Sequence, residues 1–239
     1  MGVKSGPNYV TDGLVFAVDM SSTRSYPGSG NIVYDLSGNG YNFTSSTRPS
    51  FTSVNGINCM DFTSGNGEHM DSAINSPFTG NNFAISVSAV FNENSTGSYK
   101  AILSQNENDG NDSMCFVSLT GKFGTDHWSP GGRRINSTSL AAHGSNQIHM
   151  VTWTVPSWDE HQTATLKIYI NGVEQGTEEY SVDTVGSLVA DAFRIGNWQL
   201  SRADMDFDGQ IYAVSCYNKE LSAAEVLQNY NAYKNRFNI

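Results

Sequence analysis

Short runs in which apolar and small side chains alternate, each closed by a cluster of Gly, Asn, Asp or Ser, limit the folds open to this chain more than any other feature. In AISVSAVF (84–91), Ile85, Val87, Ala89 and Phe91 alternate with Ser86, Ser88 and Val90, the period-two pattern of a strand with one face buried. TLKIYI (165–170) repeats it with Leu166, Ile168 and Ile170, and Asn171-Gly172 follows at once. A type I′ turn needs positive φ at both central residues, so this pair marks a hairpin. GLVFAVD (13–19), KAILS (100–104), MCFVSL (114–119), IHMVTWTV (148–155), AFRIGNW (192–198) and QIYAVSCYN (210–218) are runs of the same kind. Their spacing predicts an all-β sandwich. A chain of 239 residues fits within one such domain, and its 12 Phe and 11 Tyr supply a core of ordinary size.

One segment breaks the pattern. From Leu221 the spacing predicts a C-terminal helix: Ser222 and Glu225 stand where a capping box needs them, and Leu221 can staple onto Val226. Val226, Tyr230, Tyr233 and Phe237 then share one face, which predicts a helix lying on the sandwich.

Charge removes some partners. Lys and Arg number 13 against 23 Asp and Glu, a net charge of -10, so a phosphate backbone meets repulsion before any contact forms and nucleic acid is disfavoured. No stretch approaches the roughly 20 apolar residues of a membrane helix, and residues 1–12 lack the apolar run of a secretory signal. The expectation is a soluble chain made in the cytosol, with no membrane partner. Cys59, Cys115 and Cys216 lie in apolar strings without Cys-x-x-Cys spacing and read as reduced core residues.

Taken together, GLVFAVD (13–19), SYPGSG (25–30), DLSGNG (35–40), YINGV (169–173), FDGQIYAVSCYN (207–218) and LSAAEVLQNYNAYKNRF (221–237) resemble the laminin-G-like, concanavalin A-like jelly-roll family found in tailed-phage and bacterial surface proteins. The resemblance spans nearly the whole chain. It implies two antiparallel sheets face to face, with the first and last strands adjacent and the terminal helix closing one side. In phage members SYPGSG, DLSGNG and the terminal QNYNA are typical of capsid decoration proteins, fibres and receptor-binding tips. The resemblance thus implies a non-catalytic virion surface protein, synthesised in the host cytoplasm, with capsid or tail proteins as partners and dimer or trimer packing. A carbohydrate-binding adhesin that holds a cell-surface glycan is the alternative. Residues 1–12 read as a docking arm or an ordinary flexible terminus, and 13–239 as a single jelly-roll domain.

Glycan-cleaving relatives need two carboxylates across the sugar bond. The only run of alternating carboxylates, Asp204-Met205-Asp206-Phe207-Asp208-Gly209, contains no Glu, and the five histidines are scattered. No acid and base pair emerges, and the expectation is a protein that is not an enzyme. Asp204, Asp206 and Asp208 also match the opening of an EF-hand loop, but its twelfth position is Ser215 instead of the bidentate Glu. Calcium bound there stays open beside a solvated loop. For sugar stacking, two segments read as loops with a Trp beside polar groups: Asp126 and Trp128, and Asn197 and Trp198. Trp153 reads as core, and Trp158 fits either place.

Overall fold

The alternating runs pair into two antiparallel sheets. The computed structural model describes residues 8–80, 83–95, 99–105, 113–119, 122–128, 134–137, 145–158, 163–181, 188, 190–198 and 205–239. An eight-stranded sheet runs in the order β13 (Val173–Ser181), β12 (Thr163–Ile170), β11 (Ile148–Trp158), β6 (Phe83–Glu93), β15 (Gly209–Tyr217), β4 (Ile57–Phe62) and β3 (Ser50–Val54). Its remaining strand, β1 (Leu14–Asp19), also pairs with β15. Gly209 to Ile211 of β15 face β4, while Ala213 to Tyr217 face β1. The first and last strands are therefore neighbours. The seven-stranded sheet runs β10 (Arg134–Ser137), β9 (Lys122–Trp128), β8 (Ser113–Leu119), β7 (Tyr99–Gln105), β14 (Ala192–Ile195), β5 (Met70–Asn75) and β2 (Phe43–Thr44).

The period-two side chains meet between these layers. Phe16, Ile85, Val87, Phe91 and Trp153 of one sheet interlock with Phe43, Phe116, Phe123, Phe193 and Ile195 of the other. Their rings meet edge-on or tilted, as with Phe16 and Phe193 at 4.9 Å and Phe123 and Trp153 at 5.9 Å, the offset geometry that aromatic quadrupoles favour. The hairpin forms where Asn171-Gly172 requires it, with φ of 50° and 78°. All three cysteines are free and buried. Burial pushes the Cys59 thiol up to about 12 and holds Cys216 well above its ordinary value, so neither is a ready thiolate.

Helix α1 (Ala223–Phe237) carries the full capping box: Ser222 Oγ accepts from the Glu225 amide, and the Glu225 carboxylate accepts from the Ser222 amide. Tyr233 and Phe237 pack on Cys59, Val90, Met150 and Tyr212 on the outer face of the eight-stranded sheet. Helical spacing did not reveal Asn229, which is fully buried. Its Oδ1 accepts from the Val10 amide at 2.8 Å, and its Nδ2 donates to the Tyr217 hydroxyl at 3.0 Å. Tyr217 in turn donates to the Val10 carbonyl. Residues 8–12, assigned above to an arm or flexible terminus, are thus built into the packing around the helix; residues 1–7 lie outside the described residues.

The DLSGNG string is an aspartate-centred turn. The Asp35 carboxylate accepts from the amides of Ala17, Ser37, Gly40 and Tyr41 and from the Ser37 hydroxyl, which pins the turn against β1.

Candidate functional site

Of the sequence-derived candidates, the structure buries Asn197, Trp198 and Asp206 and shows what holds them there. At Gly196, φ is +88° and an ideal Cβ would sit 2.1 Å from Phe62 Cε1, so only glycine lets the chain leave β14 along this path. Asn197 and Trp198 follow, each 1% exposed. Trp198 packs with Ala101, Cys115, Val117 and Met205 on the outer face of the seven-stranded sheet. It offers no free ring face to a sugar, because Met205 comes back across the same patch. Asp126 and Trp128, read as a loop, are strand β9: Asp126 pairs with Cys115 and Asn136, and Trp128 with Ser113 and Arg134. Their side chains lie outside the described residues.

The two described carboxylates of the Asp204 to Asp208 run do not share a point. Asp206, 2% exposed, accepts from the amides of Gly65 at 3.0 Å and Gly67 at 2.9 Å through Oδ2, and from Asn197 Nδ2 at 2.6 Å through Oδ1. Asp208 instead accepts from Asn94 Nδ2 and Ser95 Oγ, with Lys100 Nζ at 3.7 Å. An ammonium group balances Asp208, and three N–H donors occupy Asp206. These residues do not fit a shared calcium ion, and Asp204 lies outside the described residues. Among the described residues no group of three or more His, Cys, Asp or Glu is placed to hold a metal. The sequence grouped Asn197 and Asp206 under different chemistries, whereas the fold joins them as one latch.

That latch shapes a cavity of 820 Å³. It opens beside β3 at the edge of the eight-stranded sheet, between the segments around Gly30 and Asn31, Ser46 to Phe51, and Asn66 to Glu68. Asp206 holds Gly65 and Gly67 on either side of Asn66. Within the same loop, Glu68 Oε2 accepts from the Thr63 amide at 2.7 Å, and Asn66 N donates to the Thr63 carbonyl. His69 joins the two walls: its amide donates to the Thr47 carbonyl at 2.9 Å, and Nδ1 lies 2.8 Å from the Gly67 carbonyl. A carbonyl only accepts, so Nδ1 carries a proton. Behind it, Asp71 binds Arg194 through two bonds of 2.7 and 2.9 Å, a bidentate pair that fixes the start of β5.

The lining of the cavity is mostly polar. Tyr26 and Phe51, with rings 4.6 Å apart, supply its apolar part. Asn31, Ser50, Asn66 and Glu68 supply amide, hydroxyl and carboxylate groups. The exposed Arg48 guanidinium has no hydrogen bond or ion pair among the described residues. This mixture of an aromatic patch and convergent amides and hydroxyls suits a hydroxylated ring of amphipathic shape. Sequence reasoning missed it, although Ser64-Gly65-Asn66-Gly67 was a turn signal.

At the other end of the Asp208 network lie two buried ionisable side chains, Glu93 and Lys100. Glu93, 1% exposed, accepts from Ser118 Oγ at 2.7 Å, and Lys100 is 2% exposed. Burial pushes the Glu93 carboxyl up to about 7; Ser118 and Lys100 pull it down, and Asp208 adds to the rise.

Known proteins repeat this architecture. Domain 4 of AbnA, a GH43 extracellular arabinanase from Geobacillus stearothermophilus, solved in complex with arabinotriose, superposes with a TM-score of 0.62 at 15% identity, over 91% of this chain and 98% of that one. The binding domain of Paraclostridial Mosquitocidal Protein 1 gives 0.63 at 18%, over 94% of this chain and 53% of the other. The ligand-binding domain of Botulinum neurotoxin serotype D, in complex with N-acetylneuraminic acid, gives 0.59 at 14%, over 92% and 51%. The chain thus spans about half of each toxin chain. A search of curated proteins found no match. Identities this low establish a common fold. Residues 62–227 match the Laminin_G_3 family, described as the Concanavalin A-like lectin/glucanases superfamily, and the chain belongs to that family.

Proposed function

We propose that the chain is a non-catalytic glycan-binding module that works through the cavity beside β3. The cavity itself carries this reading: an aromatic pair, unengaged Arg48 donors and side-chain amides converge where a sugar can enter from the edge of the sheet. Two of the structural neighbours were solved with saccharide ligands, arabinotriose and N-acetylneuraminic acid. Against catalysis stands the chemistry of the lining, in which Glu68 is the one carboxylate and its Oε2 already accepts from the Thr63 amide. Hydrolysis of a glycoside by the common route needs two carboxylates across the bond.

The setting we propose is the virion surface of a tailed phage, with residues 13–239 as one domain docked on capsid or tail proteins after synthesis in the host cytoplasm. What supports it is the resemblance of SYPGSG, DLSGNG and QNYNA to phage surface proteins. A glycan array probed with the labelled full chain, with and without chelator, tests the function. A subset of glycans is expected to bind, with chelator making no difference and no fragments released. Silence on every glycan, or release of fragments, overturns the reading. Mass spectrometry of purified particles tests the setting, which falls if the chain is absent from them.

A further inference from the structure

Resting on the glycan-binding reading, we infer that the cavity selects saccharides bearing a carboxylate, and that Arg48 reads the charge. Arg48 lines the cavity with its guanidinium unpaired among the described residues. Glu68, the other charged group of the lining, is turned to its own loop: Oε2 accepts from Thr63 N at 2.7 Å and Oε1 from Asn66 Nδ2 at 3.5 Å. It forms no ion pair with Arg48. The planar guanidinium fork matches a carboxylate through two parallel bonds, and such charge-assisted bonds are about twice as strong as neutral ones. A neutral hydroxyl cannot engage the fork in this way. In a chain of net charge -10, an anionic ligand is drawn in only where a local cation is not already neutralised. Phe51 and Tyr26 then offer a surface for the apolar face of the ring, and Asn31 and Asn66 offer amides to its hydroxyls.

The test titrates the full chain and its Arg48→Gln and Asn66→Ala variants with 3′-sialyllactose, digalacturonate and lactose by calorimetry. The parent is expected to prefer a carboxylated probe over lactose by about tenfold or more, the ratio that one added charge-assisted bond supplies. Arg48→Gln should abolish that preference without lowering the melting temperature, since Arg48 is exposed and unpaired. Asn66→Ala should weaken every probe that binds. Equal binding of all three probes, or a preference that survives Arg48→Gln, overturns the charge selection. In that case an Asn66→Ala loss on lactose would leave the glycan site standing. Failure of all three probes overturns the selection, and a silent glycan array would then remove the glycan-binding reading as well.

Discussion

Replacing Asp206 with alanine removes the latch that ties the Gly65 to Gly67 loop to the segment after β14. Three donors lose their acceptor: two backbone amides and Asn197 Nδ2. Bonds to a charged group contribute about 1.5–3 kcal/mol each when both partners are buried. The glycine amides sit on an exposed to half-buried loop and can turn to water, so each should cost only about 0.5–1.5 kcal/mol. Asn197 is 1% exposed and cannot, so its stranded donor costs about 1–3 kcal/mol. The expected loss is about 2–6 kcal/mol, a large share of the roughly 5–15 kcal/mol that holds a domain folded. Chemical denaturation followed by circular dichroism measures it. Hydrogen exchange localises it, with the Gly65 and Gly67 amides expected to lose protection first. Because Asn66 and Glu68 lose their fixed place, glycan affinity should fall by about tenfold or more, some 1.4 kcal/mol. A variant within about 0.5 kcal/mol of the parent, or one destabilised with exchange at those two amides unchanged, would refute the latch.

Two further outcomes follow from buried polar groups. The raised Glu93 carboxyl means that the folded chain holds its proton to higher pH than the unfolded chain, whose group titrates near its ordinary 4.5. Stability should therefore fall as pH rises from about 4.5 to about 7, by about 3 kcal/mol, and then level off. Glu93→Gln should flatten that slope in urea titrations at stepped pH; an unchanged slope assigns it elsewhere. Asn229→Leu strands the Val10 amide and takes a donor from the Tyr217 hydroxyl, so a loss of about 2–3 kcal/mol is expected. Limited proteolysis should then cut at residues 8–12 in the variant and spare the parent; equal cutting would show that Asn229 does not hold the N-terminal segment.

How far the sequence could be read depended on how local each signal was. Ile85, Val87, Ala89 and Phe91 mark their strand because they share the face of β6 that meets the core, although Ser86, Ser88 and Val90 on the opposite face are buried too. Ser222 and Glu225 mark the helix because a capping box closes within three residues. β3, with its mostly exposed SFTSV, shows no such period, because an edge strand beside an open cavity buries little on either face. Trp198 reads as a loop aromatic because a Trp after Gly-Asn looks the same in solvent or against a sheet; Met205, Cys115 and Val117 decide the matter, and they come from other parts of the chain. The candidate site was the least legible for the same reason. Asp206 meets Gly65 across 141 residues of sequence, and Arg48, Phe51 and Glu68 belong to no shared motif. A sandwich brings its far-apart edges together only after the core has formed, so a site built on those edges is specified by contacts that no window of the sequence contains. The polar latch around Asp206 is how this chain makes such a site rigid: the acceptor is supplied by a segment whose own position is fixed by Gly196 and by the burial of Trp198, and the loop it grips needs no apolar contact of its own.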